Sequence, residues 1–157
     1  MEYFKTYLWF KMHNSPPLDK DLSDEEWKNN ANLYWSRFTH LEERLPKKVY
    51  QLFKSRSFHD ATLKGLNIKQ SNHKYKNVVN LEISITDSEG DWIVTYSNVL
   101  TFNLKYMEQT IGQGFNDWAY DELLDFNDKY LSHEIIFASG ALVHVIFPDK
   151  NIKVEKL

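Results

Sequence analysis

The stretch VNLEISI, residues 79–85, decides the fold of this chain. Val79, Leu81, Ile83 and Ile85 alternate with Asn80, Glu82 and Ser84. Successive side chains of an extended chain point to opposite faces, so this is a strand with one face buried. The period of two persists downstream. After a turn at DSEGD, 87–91, Trp92, Val94 and Tyr96 alternate with Ile93, Thr95 and Ser97, and residues 98–104 continue the pattern. Residues 118–126 read as a further strand. Residues 130–138 and 141–147 form a hairpin turning at Ser139–Gly140, and NIKVEKL at 151–157 alternates again.

Upstream the period changes. Pro16 and Pro17 mark a break, and SDEEW follows, with Ser23 as N-cap and Glu26 as its capping-box partner. Trp27, Ala31, Tyr34, Phe38, Leu41 and Leu45 then recur at steps of three or four, with Trp35 widening the stripe. This predicts one helix of about 20 residues ending before Pro46. A second short helix over 47–55 presents Val49, Leu52 and Phe53, while residues 1–13 fit either a short strand or an amphipathic helix. Helices first and strands after imply an α+β chain in which a long N-terminal helix lies across one face of a mostly antiparallel sheet of about five to seven strands. One domain is expected over 1–157, helical over 1–55 and sheet over 56–157.

Composition narrows the chemistry. The chain has 157 residues, 42% hydrophobic and 15% aromatic, enough to build a core without a metal or a disulfide. It has no cysteine, so disulfides, thiolate nucleophiles and iron–sulfur clusters are excluded. The charged, aromatic start does not read as a signal peptide, and no stretch reaches the roughly 18 apolar residues of a membrane span. A soluble, cytoplasmic protein is expected. Its charge is polarised. Residues 44–76 hold nine Lys or Arg and one acid, Asp60; residues 77–134 hold eleven acids against Lys105 and Lys129. Such asymmetry can steer a charged partner.

No cofactor motif is present. IGQGFN at 111–116 has two glycines but no dinucleotide fingerprint, and no serine stands in a nucleophile elbow. Metal binding or hydrolysis would have to draw on His59, His133 and His144. With a two-residue loop at 139–140, Ile135 faces His144 and His133 is its diagonal neighbour, about 7–8 Å away on the same face. Apolar neighbours on that face favour histidines that satisfy local partners over ligands. His59 and Asp60 read as a structural pair at a chain reversal, on opposite sides if the segment is extended. The acidic, aromatic run 117–128 offers Trp118, Tyr120, Asp121, Glu122 and Asp125 as a face for a basic protein partner. Nucleic-acid binding would use the basic 44–76 segment, against an acidic whole with a pI near 6.1.

Several motifs together resemble a family. MEYFKTYLWFKM, Leu45–Pro46, His59–Asp60–Ala61, Leu100–Thr101–Phe102 and the Trp118, Tyr120, Asp121, Glu122 cluster are similar in order to an uncharacterised family of Gram-positive bacteria, domain of unknown function 4085. Phe58 and Ala119 replace leucines of the family pattern. The resemblance implies no activity. The Phe58–Ala61 opening also resembles that of some bacterial immunity proteins. The expectation is a non-enzymatic protein-binding module, immunity-like, with an acidic binding face.

Overall fold

A computed structural model describes residues 1–14, 17–73, 76–106 and 114–157. Among the described residues, three α-helices precede eight strands: α1 Thr6–Asn14, α2 Pro17–Phe38, α3 Lys47–Ser55, then β1 Thr62–His73, β2 Lys76–Asp87, β3 Gly90–Tyr96, β4 Thr101–Lys105, β5 Trp118–Asn127, β6 Tyr130–Phe137, β7 Leu142–Pro148 and β8 Ile152–Lys156. The architecture is α+β with antiparallel pairing throughout. The expected single sheet is instead two four-stranded sheets, ordered β1-β2-β3-β8 and β4-β7-β6-β5. Part of the IGQGFN loop and one side of the Pro16–Pro17 break lie outside the described residues.

The two sheets face each other. Leu81, Ile83 and Ile85 of β2 pair with Tyr96, Val94 and Trp92 of β3, and these six side chains are buried on one face. Opposite them stand Leu131, His133, Ile135 and Phe137 of β6 with Val143, Val145 and Phe147 of β7. The Tyr96 and Phe147 rings lie 5.1 Å apart across the interface. The chain crosses between sheets after β3, where Val99 N–H donates to Val79 O and Leu100 N–H donates to Ile146 O, each at 2.8 Å. On the other side, an isolated bridge joins Thr62 to Asp117.

The strand that periodicity hides is β1. Leu63 and Leu66 are half-buried opposite Ile85 and Ile83, while Ile68, opposite Leu81, is exposed. A bulge between Leu63 and Gly65 inserts a residue and changes a spacing of two to three, which removes the strand signature.

The long helix also differs from expectation. It begins at Pro17, whose fixed φ and missing N–H suit a first helical position, and it ends at Phe38. Ser23 is therefore a buried helical residue, not the N-cap. Leu41 and Leu45 still point inward, but from a 3₁₀ turn over Thr39–Leu41 and the loop beyond it. Nor does α2 cross a sheet face. It lies along the outer edge of β5, where the Tyr34 hydroxyl accepts the Leu123 N–H at 3.1 Å and Arg37 donates to Asp125 at 3.0 Å. Covering an edge strand in this way satisfies backbone groups that would otherwise pair with another chain. The Phe38 ring then stacks on Tyr50 of α3 at 5.3 Å.

The β6–β7 hairpin corrects a register. Gly140 N–H donates to Phe137 O at 2.8 Å and Phe137 N–H to Ala141 O at 2.9 Å, closing a three-residue loop with Gly140 at φ +84°. A two-residue loop would have put His144 opposite Ile135; the extra residue puts it opposite Glu134. Because side chains alternate, that one step sends His144 to the face away from His133.

Candidate functional site

A cavity of about 170 Å³ lies between α2, the edge of β5 and the end of α3. Six rings line it: Phe4, Trp27, Tyr34, Trp35, Phe53 and Tyr120. Ala31, Arg56, Ser57 and Asp121 complete the wall. The rings brace one another. Trp27 meets Tyr120 edge-on at 4.6 Å, Phe4 lies 5.1 Å from Trp27, and Tyr34 meets Trp35 at 5.0 Å. Trp35 stands at the rim, 43% exposed, while the other five rings are buried or half-buried.

Asp121 is the one carboxylate on the wall, and it is held from behind. The Trp118 indole N–H donates to its Oδ1 at 3.1 Å, and His133 Nε2 lies 3.0 Å from its Oδ2. His133 Nδ1 is 2.6 Å from the Tyr96 hydroxyl. Burial and the nearby Asp121 charge push the Tyr96 hydroxyl well above its usual pKa, so it keeps its proton. With a neutral ring, Tyr96 donates to Nδ1 and Nε2–H donates to Asp121, and every polar atom of the imidazole is satisfied. Tyr96 comes from one sheet and His133 and Asp121 from the other. The chain of hydrogen bonds thus crosses the core and ends at the cavity. Burial, then the same Asp121 charge, also pushes the Tyr34 hydroxyl up.

Arg56 brings a positive charge to this wall, but it is already matched. It pairs with Asp87, and with Glu89 at 2.6 Å. Its guanidinium carbon lies 4.5 Å from the Trp92 ring centroid. Its buried Nε, which has no hydrogen-bond acceptor, is covered by this stack of Trp92 and Phe58.

The residues singled out from the sequence are distributed as follows. Trp118 is fully buried and Glu122 is 2% exposed, so neither presents its side chain to a partner in this fold. Glu122 instead accepts the backbone N–H groups of Glu2 at 2.6 Å, Tyr3 at 2.7 Å and Phe4, and ties down the start of the chain. Asp125 is taken up by Arg37. Tyr120 and Asp121 do meet, at the cavity. His59 and Asp60 are brought together as well, contrary to the extended geometry expected. Asp60 is left-handed, with φ +67°, in a turn where Ala61 N–H donates to Phe58 O at 2.9 Å. This lets His59 Nδ1 reach Asp60 Oδ2 at 2.9 Å, with the carboxylate 81% exposed and the imidazole edge-on to Tyr120 at 5.0 Å.

The structure does not bring His59, His133 and His144 together. His133 is in the core, His59 lies over Tyr120, and His144 sits on the opposite face of its sheet, 2.8 Å from the Ser132 hydroxyl. Burial lowers the His144 pKa. Among the described residues no three metal-ligating side chains converge. The basic segment is partly neutralised within the chain: Arg44 grips Asp149 through two bonds of 2.7 and 2.9 Å, Arg56 is paired as above, and Lys69 meets Glu82 at 2.7 Å. Among the described residues, no helix is long and apolar enough to cross a membrane.

Sequence reasoning did not find Tyr96, Trp27, Tyr34 or Phe4 as site residues. Each reads as an ordinary core position, and only their convergence marks them. No protein-family model matches this chain, and no curated protein matches it.

Proposed function

We propose that this chain is a non-enzymatic binding module that holds one side-chain-sized group in its aromatic cavity. A single observation carries this reading: six rings surround about 170 Å³ of space on whose wall Asp121 is fixed by Trp118 and His133. Drug-sized ligands and cofactors occupy roughly 300–1,000 Å³. An apolar cavity of about 150 Å³ takes one benzene ring. The size therefore suits one ring or one amino-acid side chain. Catalysis fits less well, because His133 and Tyr96 are sealed in the core and, of that hydrogen-bonded chain, only Asp121 touches the space. The motif residues behind the family resemblance, His59, Trp118, Tyr120 and Asp121, gather at or behind this wall, which supports the same choice of site.

Filling the space tests the reading. Ala31 lies on α2 and lines the cavity, so Ala31→Phe should occupy it. Titration of the wild type with indole and with n-butylammonium, followed by tryptophan fluorescence, should give a saturable change for at least one of them, and Ala31→Phe should abolish it. A wild-type signal that never saturates, or a response unchanged in Ala31→Phe, removes the proposal.

A further inference from the structure

We propose that the occupant of the cavity is the alkylammonium group of a lysine on a basic protein partner, seated against the rings with Asp121 as its counter-ion. This rests on the reading of the cavity as the binding site. Ring faces carry negative potential, and a desolvated ammonium beside several of them is attracted more strongly than at an open surface. Trp is the strongest such ring, and two of the six here are Trp27 and Trp35.

Aromatic walls alone would accept any apolar group. Asp121 makes the difference. Each of its oxygens accepts one hydrogen bond from the protein, from Trp118 or from His133, and each retains capacity for another. An ammonium donates without accepting and fits that remaining capacity. An apolar or anionic group would leave the carboxylate facing apolar or like-charged matter, and a neutral donor would leave its charge unmatched.

The one competing charge on the wall is Arg56, and two carboxylates, Asp87 and Glu89, are paired with it. Lys156 also reaches Glu89, at 3.8 Å, so Arg56 and Lys156 balance Asp87 and Glu89, while among the described residues no Lys or Arg pairs with Asp121. Exposed Asp60 adds a further negative charge on the outer side of Tyr120. A cation is thus drawn in, and a partner surface rich in lysine is favoured over an acidic one. The narrow volume limits the guest to an extended aliphatic stem with one charged head. The rim position of Trp35 lets that stem enter from a partner standing outside α2.

The test uses blocked pentapeptides with glycine flanks and a central lysine, trimethyl-lysine, acetyl-lysine or norleucine, and also free n-butylammonium. Binding is read by calorimetry and tryptophan fluorescence at two salt concentrations. The lysine peptide should bind; the trimethyl-lysine peptide, which keeps the charge but has no N–H to donate, should bind less tightly, and the acetyl-lysine and norleucine peptides should be weaker than lysine by about tenfold or more, as expected for loss of a charge-assisted contact. Asp121→Asn should weaken the lysine peptide by a similar factor. Trp35→Ala, at the exposed rim, should weaken it independently. A norleucine peptide that binds as well as the lysine peptide overturns the inference and leaves the binding-site reading standing. Free n-butylammonium binding as tightly as the peptide overturns the protein partner. Silence from every peptide, from n-butylammonium and from indole overturns both readings.

Discussion

Removing one hydroxyl tests whether the buried network is a coupled unit. Tyr96 and His133 are both fully buried, and the hydroxyl lies 2.6 Å from Nδ1. Tyr96→Phe deletes the donor and nothing else of size. Nε2 stays engaged with Asp121, so Nδ1 is left buried without a hydrogen-bond partner. Leaving such a group unsatisfied costs about 1–3 kcal/mol. In a chain of this length each kcal/mol lowers Tm by roughly 2–4 °C. Urea unfolding followed by tryptophan fluorescence should show an earlier midpoint at unchanged slope. The discriminating comparison is with His133→Leu. In that background the Tyr96 hydroxyl is itself the orphan, so its removal should be neutral or stabilising. The cost of removing the hydroxyl should therefore vanish or reverse in the His133→Leu background. Equal costs in both, or a Tyr96→Phe variant as stable as wild type, would refute the coupling.

Three further outcomes are expected. Gly140→Ala should lose about 1–2 kcal/mol in urea unfolding from the left-handed backbone alone; its new Cβ would also lie 2.5 Å from Phe10 Cζ, so adding Phe10→Ala should relieve the crowding without restoring the backbone part. Glu122→Ala should strip the acceptor from the amides of Glu2, Tyr3 and Phe4, and hydrogen exchange at these three amides should accelerate at least tenfold while that of Val143 and Val145 stays protected. Burial pushes the Asp87 carboxyl up, but the Glu89 N–H, the Trp92 indole and Arg56 together hold it below its usual value near 3.8. A carboxyl depressed in the folded state contributes stability above its unfolded pKa and loses it as pH falls through the folded one. Asp87→Asn should therefore flatten the decline in stability below about pH 4, measured by thermal melts across pH.

Much of the sheet half is legible in the sequence because period-two alternation survives wherever strands pair without interruption. Val79 to Ile85 and Trp92 to Tyr96 are such cases. The failures have local causes. One inserted residue near Lys64 masks β1. The choice between two and three residues in the loop before Ala141 is not written in the apolar pattern, and it sets which way His144 faces. SDEEW carries a strong helix-start signature, yet the helix is already running from Pro17, and burial of Ser23 outweighs the cap. His59 and Asp60 meet because an aspartate tolerates a left-handed turn. Two sheets in place of one, and an edge-packed helix in place of a face-packed one, are decided by tertiary contacts such as Tyr34 to Leu123. The candidate site is half legible. Tyr120 and Asp121 stand out in the acidic run, but the rings around them come from α2, α3 and the segment before α1, and no spacing rule links them.

The position of α2 beside β5 has a consequence for assembly. The phenol of Tyr34 and the guanidinium of Arg37 occupy the flank of a ten-residue strand that would otherwise be free to zip onto a copy of itself. The helical first third of the molecule thus serves as a guard against self-association as well as one wall of the cavity. Loss of that guard would bare the outer flank of β5 and open the aromatic chamber to water.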